Sequence, residues 1–139
     1  LAELSDMLYG MYRDKGITKV VGIESRGYIM GSILAARLGA GFVPVRKEGK
    51  LPAEVFKEEY ELEYGNAAIE IHKDAITEDD VVLVHDDLLA TGGTMEAARR
   101  LVERNHPKAV YLNCIIELME LSGRKAFPSN TEFTSILQL

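Results

Sequence analysis

The sequence predicts a doubly wound α/β domain, a mainly parallel sheet flanked by helices with an inserted β-hairpin. Three observations carry that reading. The first third alternates helix-like and strand-like apolar patterns. The middle switches to a strict two-residue alternation. After it, the apolar run "VVLVH" ends in two adjacent aspartates and a small-residue loop that opens another helix. The 139 residues, 47% of them hydrophobic, suffice to bury one core without a disulfide or metal staple, so residues 1–139 are expected to form a single domain.

Taken in order, Leu1, Leu4, Leu8, Met11 and Tyr12 recur at helical spacing, and Gly16 supplies a stop. Residues 19–23 ("KVVGI") read as a short buried strand. In "GYIMGSILAARLG", Ile29, Ile33, Leu34 and Leu38 mark one helix face, closed by Gly39. Residues 41–45 ("GFVPV") are a second strand, whose Pro44 belongs at an edge or exit position. Residues 46–59 are polar, with Gly49 and Pro52, and show no clear period. Residues 60–64 ("YELEY") and 68–72 ("AIEIH") alternate on either side of Gly65 and Asn66, which predicts a half-exposed hairpin. Residues 46–72 are therefore expected to form a flexible loop and hairpin arm. Residues 81–85 make a central strand. Met95, Ala98, Leu101 and Val102 then mark a helix to about Asn105, with Pro107 beyond it. Residues 109–116 ("AVYLNCII") are the next buried strand, and "FTSILQL" is the last.

Composition excludes several classes of function. A net charge of −6 and a pI of about 5.1 argue against nucleic-acid and anionic-membrane partners, and the aromatic residues do not interleave with a basic patch. No apolar stretch approaches the roughly 20 residues of a bilayer span. The start has neither a basic region nor a cleavage site, so it is not read as a signal peptide. The single cysteine, Cys114, is expected to be a buried core thiol, in keeping with a reducing cytoplasm. His72, His85, His106 and Cys114 lack metal-ligand spacing.

The chemistry concentrates in "VLVHDDLLATGGT". Ligands of open α/β sheets sit outside the carboxyl ends of the strands, where Asp86 and Asp87 are expected. Ionised carboxylates only accept hydrogen bonds, so they suit the vicinal hydroxyls of a sugar and a magnesium-bearing phosphate substrate. Ala90, Thr91, Gly92, Gly93 and Thr94 offer close backbone approach, converging N–H groups, hydroxyl donors and the positive end of a helix starting near Met95. Neither the GxxxxGK[ST] nor the GxGxxG spacing is present. A second strand-to-helix turn, "ESRGY", places Arg26 and Gly27 at a helix entry. A plain Glu24–Arg26 ion pair would also explain it. Two such turns on one sheet imply a substrate with phosphate at both ends.

These residues resemble the signature of the type I phosphoribosyltransferases, which bind phosphoribosyl pyrophosphate (PRPP). "VGIESRGY", "GFVPVRKEGKLP" and "YELEYG", in this order, are similar to the adenine-specific members, and the similarity runs from Lys19 to at least Leu121. The resemblance implies a type I phosphoribosyltransferase-like fold and the conversion of adenine and PRPP to AMP and pyrophosphate, with Mg²⁺ carried by PRPP or pyrophosphate and not bound directly by protein groups. It implies that Asp86 and Asp87 hold the ribose hydroxyls and that Ala90, Thr91, Gly92, Gly93 and Thr94 cradle the 5′-phosphate. Ser25, Arg26 and Gly27 would form a pyrophosphate loop, a place where a non-proline cis peptide is expected. Arg46, Lys47, Lys50 and Tyr64 would meet the pyrophosphate. Glu63 would be the acid/base near adenine N7, and Leu88 would pack on the purine.

A cytoplasmic homodimer is implied as well. Family members carry an N-terminal hood over the base, rich in proline and aromatic residues, and this chain is expected to start just after it. His85 stands where the family usually has an apolar residue; it reads as a structural strand-end residue that tunes the site. Two alternatives stay open here: a PRPP-binding regulatory module without catalysis, and the same transfer to another purine.

Overall fold

The computed structural model describes residues 1–62 and 64–139. Seven strands form one sheet, with β1 at Lys19–Ile23, β2 at Gly41–Lys47, β3 at Val55–Leu62 and β4 at Gly65–His72. The others are β5 at Val81–Leu89, β6 at Ala109–Glu117 and β7 at Glu132–Gln138, and the spatial order is β3-β4-β2-β1-β5-β6-β7. β2, β1, β5, β6 and β7 run parallel, while the β3–β4 hairpin adds two antiparallel strands at one side. Three helices cover the sheet: α1 at Ala2–Tyr12, α2 at Gly27–Leu38 and α3 at Gly93–Glu103. Two short 3-10 turns, Met119–Leu121 and Gly123–Ala126, connect β6 to β7.

Side-chain alternation along the strands divides the core in two. Val20 and Leu83 pack with Leu8, Tyr12, Met30 and Leu34 under α1 and α2. Val21, Val82 and Val84 pack with Met95, Ala98, Leu101 and Val102 under α3. Each such fully buried aliphatic side chain contributes roughly 1.5–3 kcal/mol. The sheet is thus wound on both faces, as the strand–helix alternation predicts.

Three local expectations need correction. α2 does not bury Ile29, which is 57% exposed; its inward face is Gly27, Met30, Gly31, Leu34 and Ala35. Small residues let this helix lie close to β1, where a Cβ on Gly22 would stand 3.0 Å from the Gly27 carbonyl oxygen. β3 begins at Val55, well before residue 60, and the hairpin ladder runs to Leu62↔Gly65, so Gly65 and Asn66 lie in β4 and not in the turn. The hairpin also contributes to the core. Ile69 and Ile71 are core residues, and β4 joins β2 at Arg46↔Glu70 and Lys47↔Ile69. Finally, β5 does not stop at His85. It continues through Asp86 to Leu89, paired on one side only, because β6 extends alongside it after its β1 neighbour has ended. Pro44 fits its assigned place: β2 meets β4 only at residues 46 and 47, so residue 44 has no partner on that side.

Candidate functional site

The carboxyl ends of β1 and β5 meet at the start of α2. At Gly27 a Cβ would lie 2.8 Å from the His85 carbonyl and 3.3 Å from an Asp86 carboxylate oxygen, so only glycine lets this helix terminus sit against β5. Beyond it, Arg26 and residues 86–95 line a cavity of about 190 Å³. The acid pair, the small-residue loop and the first turn of α3 therefore share one concave surface. Gly92 caps α3 in the left-handed region, at φ 90°, which turns the chain from β5 into the helix and presents the first helical amides to the cavity.

The two aspartates differ. Asp86 is driven up to about 7, first by burial and then by the charge of Asp87 beside it. Its Oδ1 accepts the Asp87 backbone N–H at 2.8 Å. Asp87 Oδ2 lies 3.0 Å from Nε of Arg26, whose side chain is 72% exposed. Arg26 thus bridges the two turns and does not pair with Glu24, which removes the simple local ion-pair reading of "ESRGY". The Glu24–Ser25 peptide bond is cis, as the resemblance implies.

Glu24 instead gathers the basic segment after β2. Its carboxylate accepts the Lys47 backbone N–H at 2.8 Å and the Lys50 ammonium at 2.9 Å, with Arg46 Nε at 3.7 Å. These partners hold its carboxyl down at about 2. Arg46 and Lys50 therefore stand beside Ser25, next to the Arg26 turn. Tyr64 is 91% exposed and lines none of this cavity, and Glu63 lies outside the described residues. Leu88 lines the cavity, on the strand that carries the acids.

His85 is fully buried within β5 and not at its end. Asn113 donates its amide hydrogens toward Thr134, leaving its Oδ1 to accept from His85 Nδ1 at 2.8 Å. Thr134 Oγ1 in turn meets the Tyr12 hydroxyl at 2.5 Å. Burial keeps the imidazole neutral at ordinary pH, and its Nε2 has no partner among the described residues. Cys114 is buried, as expected, and its thiol is pushed up to about 12 by burial. It is no nucleophile.

Among the described residues no group of three carboxylate, imidazole or thiol side chains could hold a metal ion, and no helix is long and apolar enough to cross a membrane. The site's donor set instead suits a cation that arrives with an anionic ligand. Burial and the Asp87 charge both disfavour the ionised form of Asp86, and a hydrated divalent ion or a donating diol at the pair would relieve that.

Residues 1–134 match the phosphoribosyl transferase domain family. The chain is 64% identical to adenine phosphoribosyltransferase of Bacteroides fragilis, over the whole chain and 79% of that protein. The chain belongs to the adenine phosphoribosyltransferase family. Its fold superposes on the adenine phosphoribosyltransferase of Rhodothermus marinus with a TM-score of 0.93, at 52% identity, covering 99% of this chain and 79% of that one. The Giardia lamblia family member, crystallised with 9-deazaadenine, gives a TM-score of 0.91 at 44% identity, over 97% of this chain and 77% of that one.

Sequence reasoning missed Gly123, Arg124 and Glu117. Gly123 abuts the loop that starts at Ala90, and Arg124 forms a two-bonded ion pair with Glu117. No local pattern marks them, because Gly123 meets Ala90 from a distant segment and the Glu117–Arg124 pair spans the irregular connection after β6.

Proposed function

We propose that the chain transfers the phosphoribosyl group of PRPP to adenine, releasing pyrophosphate and forming AMP, a purine-salvage reaction. One observation carries the reading: an acid pair and a backbone-donor loop line the same cavity, joined by Arg26. The first suits a sugar diol and the second a terminal phosphate. Family membership and the adenine analogue in the Giardia lamblia enzyme support adenine as the base.

In this reading Ala90, Thr91, Gly92, Gly93 and Thr94 bind the 5′-phosphate, while Asp86 and Asp87 orient the ribose hydroxyls. Ser25, Arg26, Gly27, Arg46, Lys47, Lys50 and Tyr64 receive the pyrophosphate. Leu88 packs on the purine, and Glu63 keeps the acid/base role that its LEYG motif implies. As the C1′–oxygen bond to pyrophosphate breaks and the C1′–nitrogen bond forms, the base gives up one ring proton. Positive charge that develops on the sugar is met by the aspartates, and negative charge on the leaving group by the basic cluster. Mg²⁺, brought by the substrate and held at Asp86 and Asp87 through hydroxyls or water, would add charge neutralisation there. The β3–β4 hairpin, whose Tyr60 and Glu61 lie against Gly93, would supply the cover that keeps water from the reacting sugar. The proposal includes a single domain over residues 1–139, the arm at residues 46–72, a homodimer and a cytoplasmic location.

The test is steady-state assay of the full-length protein with Mg²⁺ and PRPP against adenine, hypoxanthine and xanthine. AMP formation, fastest with adenine, is expected. Faster use of hypoxanthine would overturn the base assignment. Binding of PRPP without turnover of any base would favour a regulatory module.

A further inference from the structure

The loop assigned to the 5′-phosphate rests on a second segment that nothing so far gives a role. Across from Ala90–Gly92 lies the second 3-10 turn. A Cβ on Gly123 would stand 2.5 Å from the Ala90 carbonyl oxygen and 2.9 Å from Cγ of Leu89. Reciprocally, a Cβ on Gly92 would run into the Gly123 carbonyl and come within 2.9 Å of the Ala126 Cβ. Two main chains thus touch through facing glycines. Gly92 needs glycine for its positive φ, but Gly123 has no such requirement; it is glycine because space demands it.

The turn is itself anchored. Glu117, 2% exposed, accepts Arg124 Nε at 2.7 Å and Arg124 Nη2 at 2.8 Å, and the Ser135 hydroxyl at 2.7 Å. The Arg124 guanidinium also lies 4.8 Å from the Phe133 ring centroid. Glu117 is the register partner of Leu89, the residue just before the loop, and the Leu118 N–H donates to the Leu89 carbonyl at 3.0 Å. The path from Leu89 through Glu117, Arg124 and Gly123 back to Ala90 is closed.

We infer that this ring, fixed by the Glu117–Arg124 pair, is a backstop setting the position of the phosphate loop, with Gly123 and Arg124 as positioning residues for the 5′-phosphate end of the substrate. The inference rests on the function proposed above. Backbone donors bind a phosphate only when their N–H vectors converge, and a sub-ångström retreat of the loop spoils that convergence without touching the base subsite.

The test measures ribose 5-phosphate binding by calorimetry, and KM for PRPP and for adenine, in the full-length protein at a temperature where circular dichroism shows each variant folded. Gly123→Ala should weaken ribose 5-phosphate binding and raise KM for PRPP by about tenfold or more, leaving KM for adenine within about twofold. Arg124→Lys, which keeps the charge but cannot make the two-bonded fork, should give a smaller rise of about threefold, and it decides the matter if Gly123→Ala does not fold. Unchanged ribose 5-phosphate affinity in the folded variants would overturn the inference, as would an equal rise in both KM values. A wild-type protein that binds no ribose 5-phosphate would overturn it together with the proposed function, an outcome separated from the others by the wild-type control.

Discussion

The two anion-facing turns of this site are built on different principles. The turn after β1 works with side-chain charge: Glu24 draws in Arg46 and Lys50, while Arg26 reaches across to Asp87. The turn after β5 has no charged side chain between Ala90 and Thr94, and relies on glycine geometry, helix amides and the backing of Gly123. Cations at the first turn must exchange a carboxylate for a ligand, so their grip varies with salt and pH. Donors at the second are fixed by backbone, so their grip depends on shape alone.

The largest effect that separates the two should come from Gly92→Ala. The left-handed backbone costs a residue with a Cβ roughly 1–2 kcal/mol, and the added carbon collides with the Gly123 carbonyl. Turnover with PRPP should fall by about a hundredfold, and raising ionic strength should leave that ratio unchanged in steady-state assays.

A second, smaller effect concerns stability and pH, where the turns oppose each other. Glu24 is held down at about 2, so its stabilising contribution is fully present above the ordinary carboxylate value and is lost as pH falls toward 2. Asp86 is pushed up to about 7, so between roughly pH 4 and 7 the folded protein keeps a proton that the unfolded chain has released, and stability declines as pH rises through that window. Urea unfolding of the ligand-free protein should show Asp86→Asn gaining on the order of 2 kcal/mol over wild type at pH 8 and nothing at pH 4. An equal gain at both pH values would contradict the assigned direction.

Lys50→Ala should do least to the fold. An exposed ion pair contributes about 0–1 kcal/mol, so the unfolding midpoint should hardly move. KM for pyrophosphate in the reverse reaction should still rise about fivefold at low salt, and the difference should fade as screening grows. Persistence at high salt would mean the charged turn behaves like the backbone one.

Much of this organisation was legible in the chain. β1, β5 and β6 announce themselves as apolar runs, and the acid pair followed by small residues marks the cavity, because both signals are local. β3 hid its start because Glu58 occupies an inward register position, where Arg104 pairs with it at 2.7 Å, and so interrupts the expected apolar alternation of Phe56 and Tyr60. The buried face of α2 hid behind glycines, which carry no hydrophobic signal yet allow the closest packing. The extension of β5 depends on how far β6 reaches, and the Gly123 backstop on a contact between distant segments; a periodic pattern encodes neither.

The buried file of polar groups from Tyr12 through Thr134 and Asn113 to His85 has a consequence for how this lineage can change. They come from four separate elements, and at one end His85 and Asn113 are fully buried, so no solvent stands in for a neighbour lost there. An aliphatic replacement at position 85 alone would strand the Asn113 carbonyl in a dry interior, whereas one that also removed Asn113 would not. Positions 85 and 113 therefore tolerate aliphatic replacement only as a pair, which ties the strand that carries the two aspartates to its neighbour β6.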